Sequence, residues 1–341
     1  MTERAQFMEA PHRIVFLAYE GVALLDLAGP QSAFRVADQR MRDRYRQAYQ
    51  SQTASLAGGI VRTAEGIELS TIAVSTLSLD SIDTIIVPGS PAMPRFHLQL
   101  ERLTEWLCQA SLHARRTVAI CSGAFLLAQA GLLNGKRAAT HWALCDLLQK
   151  RFPLIEVERE AIFVRQHSLW TSAGCTASID LAIALVEEDC GRDVAMQVAR
   201  DLVLFVRRPG EQSQVSELLR MQMQTEDDEP FSHLHLWIQD NLEYAPLSVE
   251  IMAQKVHMSP RNFARIYKQK TGLTPARAVQ KLRIEAAQRM LQSSARSVAH
   301  IARSCGFGNE ERLRTAFHRT LGVAPRDYRK RMAANDQSSR R

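Results

Sequence analysis

The sequence predicts two folds in one chain: an α/β domain with a parallel sheet covered on both faces, then an all-α domain built on two helix-turn-helix motifs. Three observations carry this prediction. Residues 12–206 alternate short apolar strands with helical stretches. A segment near residue 250 recurs near residue 300. Charge divides with the fold: residues 231–341 hold 20 basic against 8 acidic side chains, a net of +12, whereas the first 230 hold 23 against 28, a net of −5. A concentrated positive field favours a polyanionic partner through phosphate neutralisation, although charge alone also fits an anionic membrane surface.

A composition of 46% hydrophobic and 23% charged residues excludes disordered and fibrous classes. No apolar run approaches the roughly 20 residues of a spanning helix. The polar N-terminus, Met1 to Met8, has no signal-peptide core, so a cytoplasmic protein is expected. Cys108, Cys121, Cys145, Cys175, Cys190 and Cys305 lack metal-ligand spacing; free thiols are expected, with no metal and no cofactor.

In chain order, the candidate strands are Arg13–Ala18, Thr84–Val87, Thr117–Ile120 and Ser168–Ser172. Three run into tight turns, Pro88-Gly89-Ser90-Pro91, Cys121-Ser122-Gly123-Ala124 and Ala173-Gly174-Cys175-Thr176. Ligands bind such sheets beyond the carboxyl ends of the strands, which makes Gly89, Ser90, Cys121, Ser122 and Cys175 candidate ligand-binding residues. Strand, Cys121 turn and apolar helix have the layout of a nucleophile elbow, and the helix N-terminus would favour a thiolate there. Cys121 admits four readings: an inherited elbow shaping a ligand pocket, a redox or covalent sensor, a working nucleophile, or a packed thiol.

Residues 207–230 read as a linker, ending in an acidic run closed by Pro230, with Val215–Gln224 a helical candidate. Beyond it, Ser248–Ala253 matches Ser297–Ala302 at an offset of 49, and Lys270–Pro275 matches Thr320–Pro325 at 50. Each copy reads as two short helices. Ser248, Ser259, Ser297 and Asn309 are N-cap residues, Pro260 suits a first helical position, and Gly272 and Gly322 suit helix ends. Phe263, Ile266 and Tyr267, and likewise Leu313, Ala316 and Phe317, should face the core. A helix from Pro275 to Gln292 joins the copies, with Val279, Leu282, Ala286 and Met290 on one face. Its length of roughly 27 Å compares with about 34 Å between successive major-groove faces. Residues 334–341 read as a frayed tail.

With the repeat, the Gly306-Phe307-Gly308 turn and the ending Gly322 to Arg329, residues 231–333 resemble an AraC/XylS-family DNA-binding domain. The resemblance implies that Arg261, Ala264 and Arg265 face bases from the first recognition helix, and Glu310, Glu311, Arg314 and Thr315 from the second. Arginine suits guanine and glutamate suits cytosine; the two glutamates also fit simple helix-dipole stabilisation. The elbow resembles the PfpI, or class I glutamine-amidotransferase-like, superfamily, which has a flavodoxin-like sandwich. That likeness places Asp26 beside Cys121 and His141 nearby, with Trp142 adjacent. Asp26 can bind ligand, orient Cys121 or fix its turn. The order of motifs along the chain resembles GlxA-type regulators, which fuse the two domains. This implies a homodimeric transcriptional activator that binds promoter DNA, works on RNA polymerase and responds to a small-molecule effector, an amino-acid or amine compound. No catalysis is expected; the alternative is a cysteine-dependent amidase, peptidase or hydratase with Cys121, Asp26 and His141 as its vestigial or working residues. Cys175 departs from the pattern and would bring a second sulfur to the pocket mouth.

Overall fold

The computed structural model describes residues 11–42, 47–92, 100–205, 207–224, 229–243 and 247–337. It divides into two units, residues 1–214 and 215–341. The polar N-terminus through residue 10, the acidic run 225–228 and the last four residues lie outside the described residues.

The first unit is an eight-stranded sheet. Its strands are β1 (His12–Leu17), β2 (Tyr49–Ser55), β3 (Gly59–Arg62), β4 (Glu68–Ala73), β5 (Thr84–Val87), β6 (Arg116–Ile120), β9 (Phe163–Gln166) and β10 (Leu169–Ser172), with β7 (Arg137–Ala138) and β8 (Glu156–Val157) forming a small separate pair. The order is β3-β4-β2-β1-β5-β6-β10-β9. Pairing is parallel from β4 through β10, with antiparallel partners only at the two edges. This is the flavodoxin-like plan: β1 runs beside β2 on one side and β5 on the other, so the order reverses there and opens a crevice at the carboxyl ends. β5, β6 and β10 are buried at every residue, as strands covered on both faces must be. The helices α1 (Leu24–Met41), α2 (Glu101–His113), α3 (Ala124–Gln129), α4 (Cys145–Arg151), α5 (Ala177–Cys190) and α6 (Arg192–Asp201) complete the unit.

The four candidate strands are present, Thr84–Val87 unchanged and the other three with bounds shifted by a residue. The polar strand β2, Tyr-Gln-Ser-Gln-Thr-Ala-Ser, its neighbour β4 and the edge strands β3 and β9 have no long apolar run to announce them. The expected linker also needs correction. Residues 207–214 are docked on the α/β unit: Arg207 pairs with Glu187, Arg208 forks onto Asp180 at 2.6–2.9 Å, and Gly210 O accepts from Ile162 N at 2.8 Å.

The second unit contains α7 (Glu217–Gln224), α8 (Glu229–Asp240), α9 (Val249–Lys255), α10 (Pro260–Thr271), α11 (Pro275–Ser293), α12 (Val298–Ser304), α13 (Glu310–Leu321) and α14 (Pro325–Gln337). The tail expected from residue 334 is helical to Gln337. Ser248, Ser297 and Asn309 accept from the third residue's amide, as N-caps do. Ser259 stands at the cap of α10 without a side-chain capping bond; Pro260 alone marks that start. Gly272 and Gly322 end their helices in the left-handed region, at φ 66° and 70°. The joining helix carries two stripes rather than one. Ala278, Val279 and Leu282 pack with the first copy, Ile284, Ala287 and Leu291 with the second, and Ala286 touches both cores. A helix serving two cores must turn two faces inward.

Candidate ligand site and candidate nucleic-acid interface

Four turns converge beyond the carboxyl edge of the sheet. Cys121 follows β6 at φ 57°, the strained corner of an elbow whose backbone enters a 3-10 turn and then α3. Asp26, in the first turn of α1, is buried to 1% exposure. Its two carboxyl oxygens accept from Gly89 N at 3.0 Å, after β5, and from Cys175 N at 2.7 Å, after β10. Asp26 therefore clamps two turns around the cysteine. A methyl built on Gly89 would fall 2.8 Å from Cys121 Cβ and 2.9 Å from Asp26 Oδ2, so only glycine fits between them. Ser122 and Ser90 lock the same edge: Ser90 N donates to Ser122 Oγ, which donates to Ser90 O, both at 2.8 Å.

Electrostatics argue against the thiolate expected at Cys121. Contact with the Cys175 sulfur, burial and the nearby Asp26 carboxyl all push its thiol up, outweighing the turn's amide. Burial likewise raises Asp26 despite its two backbone donors. Cys175 goes the other way, lowered to about 7 by the hydrogen bond from Cys121.

His141 and Trp142 stand apart from this cluster. The His141 imidazole accepts from Ala143 N within its own turn and lies against Trp142, whose ring is 59% exposed. Thr140 is the residue that ties this segment to the elbow, donating to Cys121 O at 2.8 Å. Tyr19, just past β1, is a second residue that sequence reasoning missed. Its buried hydroxyl donates to Pro88 O, and burial together with Asp26 and Cys121 raises its pKa well above the usual tyrosine range.

In the second unit, Arg261, Ala264 and Arg265 lie at i, i+3 and i+4 on the face of α10 opposite buried Phe263 and Tyr267. Lys268 extends that face by one turn and was not anticipated. Arg261 and Arg265 are exposed, Arg265 donating to Asn262 Oδ1 at 2.9 Å. On α13 the equivalent face carries Glu311, Arg314 and Thr315, all exposed. Here the charges are already matched: Glu311 pairs with Arg314 at 2.7 Å, and Glu310 with Arg326 at 2.7 Å. A cleft of about 410 Å³ runs between α11 and α13, bordered by Arg283, Glu311, Thr315 and Arg319.

The DJ-1/PfpI family profile matches residues 12–188, and a helix-turn-helix domain profile matches residues 252–331. The chain belongs to the DJ-1/PfpI family. To that family's domain it joins an AraC-type helix-turn-helix domain. The DJ-1/PfpI chain is 27% identical to the HTH-type transcriptional regulator GbdR of Pseudomonas aeruginosa, over 94% of this chain and 84% of that one. It is 27% identical to the HTH-type transcriptional regulator GlxA of Rhizobium meliloti, over 94% and 96%. It is 36% identical to the isonitrile hydratase of Pseudomonas putida over 36% of this chain and 51% of that enzyme. The fold is shared with an AraC family transcriptional regulator of Pseudomonas putida, at TM-score 0.50 and 22% identity over 56% of this chain and all of the other. Among the described residues no helix is long and apolar enough to cross a membrane.

Proposed function

We propose that this protein is a sequence-specific DNA-binding transcriptional regulator whose DJ-1/PfpI domain responds to a small metabolite. The observation that carries the reading is the face of α10: Arg261, Ala264, Arg265 and Lys268 project from a helix whose other side is sealed in its own core. Such a helix offers guanidinium groups to guanine O6 and N7 and a small residue for close approach. α13 supplies mainly position, since Glu311 already holds Arg314. The two-domain regulators matched along nearly the whole chain support the same reading.

The effector binds at the crevice bounded by Asp26, Gly89, Ser90, Cys121, Ser122 and Cys175, with His141 and Trp142 on its outer margin. An amino-acid or amine compound is the class implied by the likeness to GlxA-type regulators. The protein acts in the cytoplasm as a homodimer that activates transcription through contact with RNA polymerase; paired half-sites raise affinity by effective concentration. Effector binding shifts operator occupancy only to the extent that it favours one DNA-binding arrangement.

Selection from random duplexes by the full chain, repeated across salt concentrations, tests this. Enrichment of two half-sites about one helical turn apart is expected. Steep salt dependence without an enriched motif means phosphate-only binding and defeats the proposal. The hydratase likeness favours a second reading, an enzyme working through Cys121. Its thiol is held protonated by burial and Asp26, which suits a pocket wall better than a nucleophile. Turnover of an isonitrile that vanishes in Cys121→Ala would establish the enzyme instead.

A further inference from the structure

Two cysteines from turns 54 residues apart in the chain meet at the elbow. Gly174 presses its backbone onto Cys121: a methyl built there would lie 2.2 Å from Cys121 Cβ and 2.8 Å from its Cα. That approach brings the next residue, Cys175, to the corner beside Cys121, close enough for each thiol to shift the other. Both residues hold left-handed backbone, φ 57° and 51°, which an L residue keeps only when its surroundings impose it. Asp26 imposes it at Cys175 by accepting that residue's amide at 2.7 Å. The sulfurs differ in access: Cys175 is exposed and Cys121 is half-buried behind it. Contact with its neighbour and burial both push the Cys121 thiol up, while the same contact lowers Cys175, so the accessible sulfur is the readier of the two to ionise. An outer thiolate backed by an inner thiol is an attacking group beside a resolving group.

We propose that Cys121 and Cys175 form a dithiol site that a peroxide closes into an intramolecular disulfide. The Cys175 thiolate attacks a peroxide oxygen; an S–O bond forms, the O–O bond breaks, and hydroxide (or alkoxide) leaves. The Cys121 sulfur then attacks the Cys175 sulfenic acid. The S–S bond forms as the S–O bond breaks, and the Cys121 proton departs with the hydroxyl as water. In sum, two thiols are oxidised and one hydrogen peroxide is reduced to two waters. The chemistry is local to the elbow and does not rest on the regulatory reading.

The test uses the reduced full chain treated with hydrogen peroxide, denatured, alkylated with a maleimide and mapped by mass spectrometry. Alkylatable thiols are expected to fall from six to four. A peptide pair joining Cys121 to Cys175 should appear two hydrogens lighter, and dithiothreitol should restore all six thiols. Cys175→Ser, which changes an exposed side chain, should keep its five thiols at the same dose. The proposal is overturned if Cys121 and Cys175 both remain alkylatable, if Cys175 passes to sulfinic acid with Cys121 free, or if the linkage joins two chains. Loss of the Cys121 thiol in Cys175→Ser at the parent's rate also overturns it.

Discussion

The two helix-turn-helix copies superimpose in sequence at offsets of 49 and 50, yet they are held together and charged differently. In the first copy His235, on α8, shares a hydrogen bond with Tyr267 of α10 at 2.9 Å, and both side chains are fully buried. At the corresponding offsets the second copy has Ile284 and Phe317, equally buried and wholly apolar. One polar bond thus stands where its sibling uses dispersion and hydrophobic burial. A buried polar pair is costly to leave half-made, so it enforces one mutual placement of α8 and α10, but it also makes that placement titratable. The exposed faces of α10 and α13 repeat the lesson. Arg261 and Arg265 stand where Glu311 and Thr315 stand in the second copy, and Ala264 where Arg314 stands. Duplication kept the backbone and let the chemistry diverge.

The largest expected effect follows from acid. Burial holds His235 down to about 4, against roughly 6.5 in an unfolded chain. As pH falls, the unfolded state takes up the proton first, so this stability is complete above about 6.5 and is lost progressively toward 4, about 3 kcal/mol in all. Peptide-resolved hydrogen exchange on the full chain at pH 7.5 and 5, corrected for intrinsic rates, should show α8 and α10 loosening relative to α12 and α13. Equal loosening of both copies would remove the contrast.

Next comes Gly306, which opens the turn of the second copy at φ 74°. A methyl there would meet Leu242 O at 2.1 Å. Gly306→Ala should cost about 2–3 kcal/mol, read as a lower denaturation midpoint of the second unit. A change below 0.5 kcal/mol, on the order of measurement scatter at neutral sites, would show that the turn can shift.

On DNA, Arg265→Ala should weaken cognate operator binding by about 10- to 100-fold and flatten sequence preference, while Arg314→Ala should change it less than about threefold because Glu311 already engages that guanidinium. Equal losses would mean that both helices read bases. The smallest effect is at His257, which takes the turn position at φ 54° with a side chain. His257→Gly should raise stability by at most about 1 kcal/mol, strain relief being offset by backbone entropy. A loss of similar size in chemical denaturation would assign the imidazole a stabilising contact.

Most of the cluster around the Cys121 elbow was legible because its residues sit in turns directly after apolar strands. A parallel sheet must collect such turns along one edge, so Gly89, Cys121 and Cys175 meet once β5, β6 and β10 are recognised; Asp26, in the first turn of α1, was placed there by the PfpI likeness. Tyr19 and Thr140 were not legible, since their bonds to Pro88 O and Cys121 O cross 69 and 19 residues and depend on the crossing of loops. His141 was placed near the elbow by the PfpI likeness, and its ring lies against Trp142. β2 was hidden by its polarity; its place in the sheet comes from register with β1 rather than from an apolar pattern.

By itself, the amino-acid sequence determined the two-domain plan, the duplicated motif, its serine and asparagine caps, its glycine stops and the strained cysteine elbow. Each of these is satisfied within three or four residues of chain, where local hydrogen bonds and backbone sterics decide the outcome. Tertiary structure alone decided that Arg326 of α14 holds Glu310 of α13, how one helix serves two cores, and that Cys121 and Cys175 come to one corner. Those outcomes rest on groups far apart in the chain, whose distances, burial and charge exist only once the topology has closed.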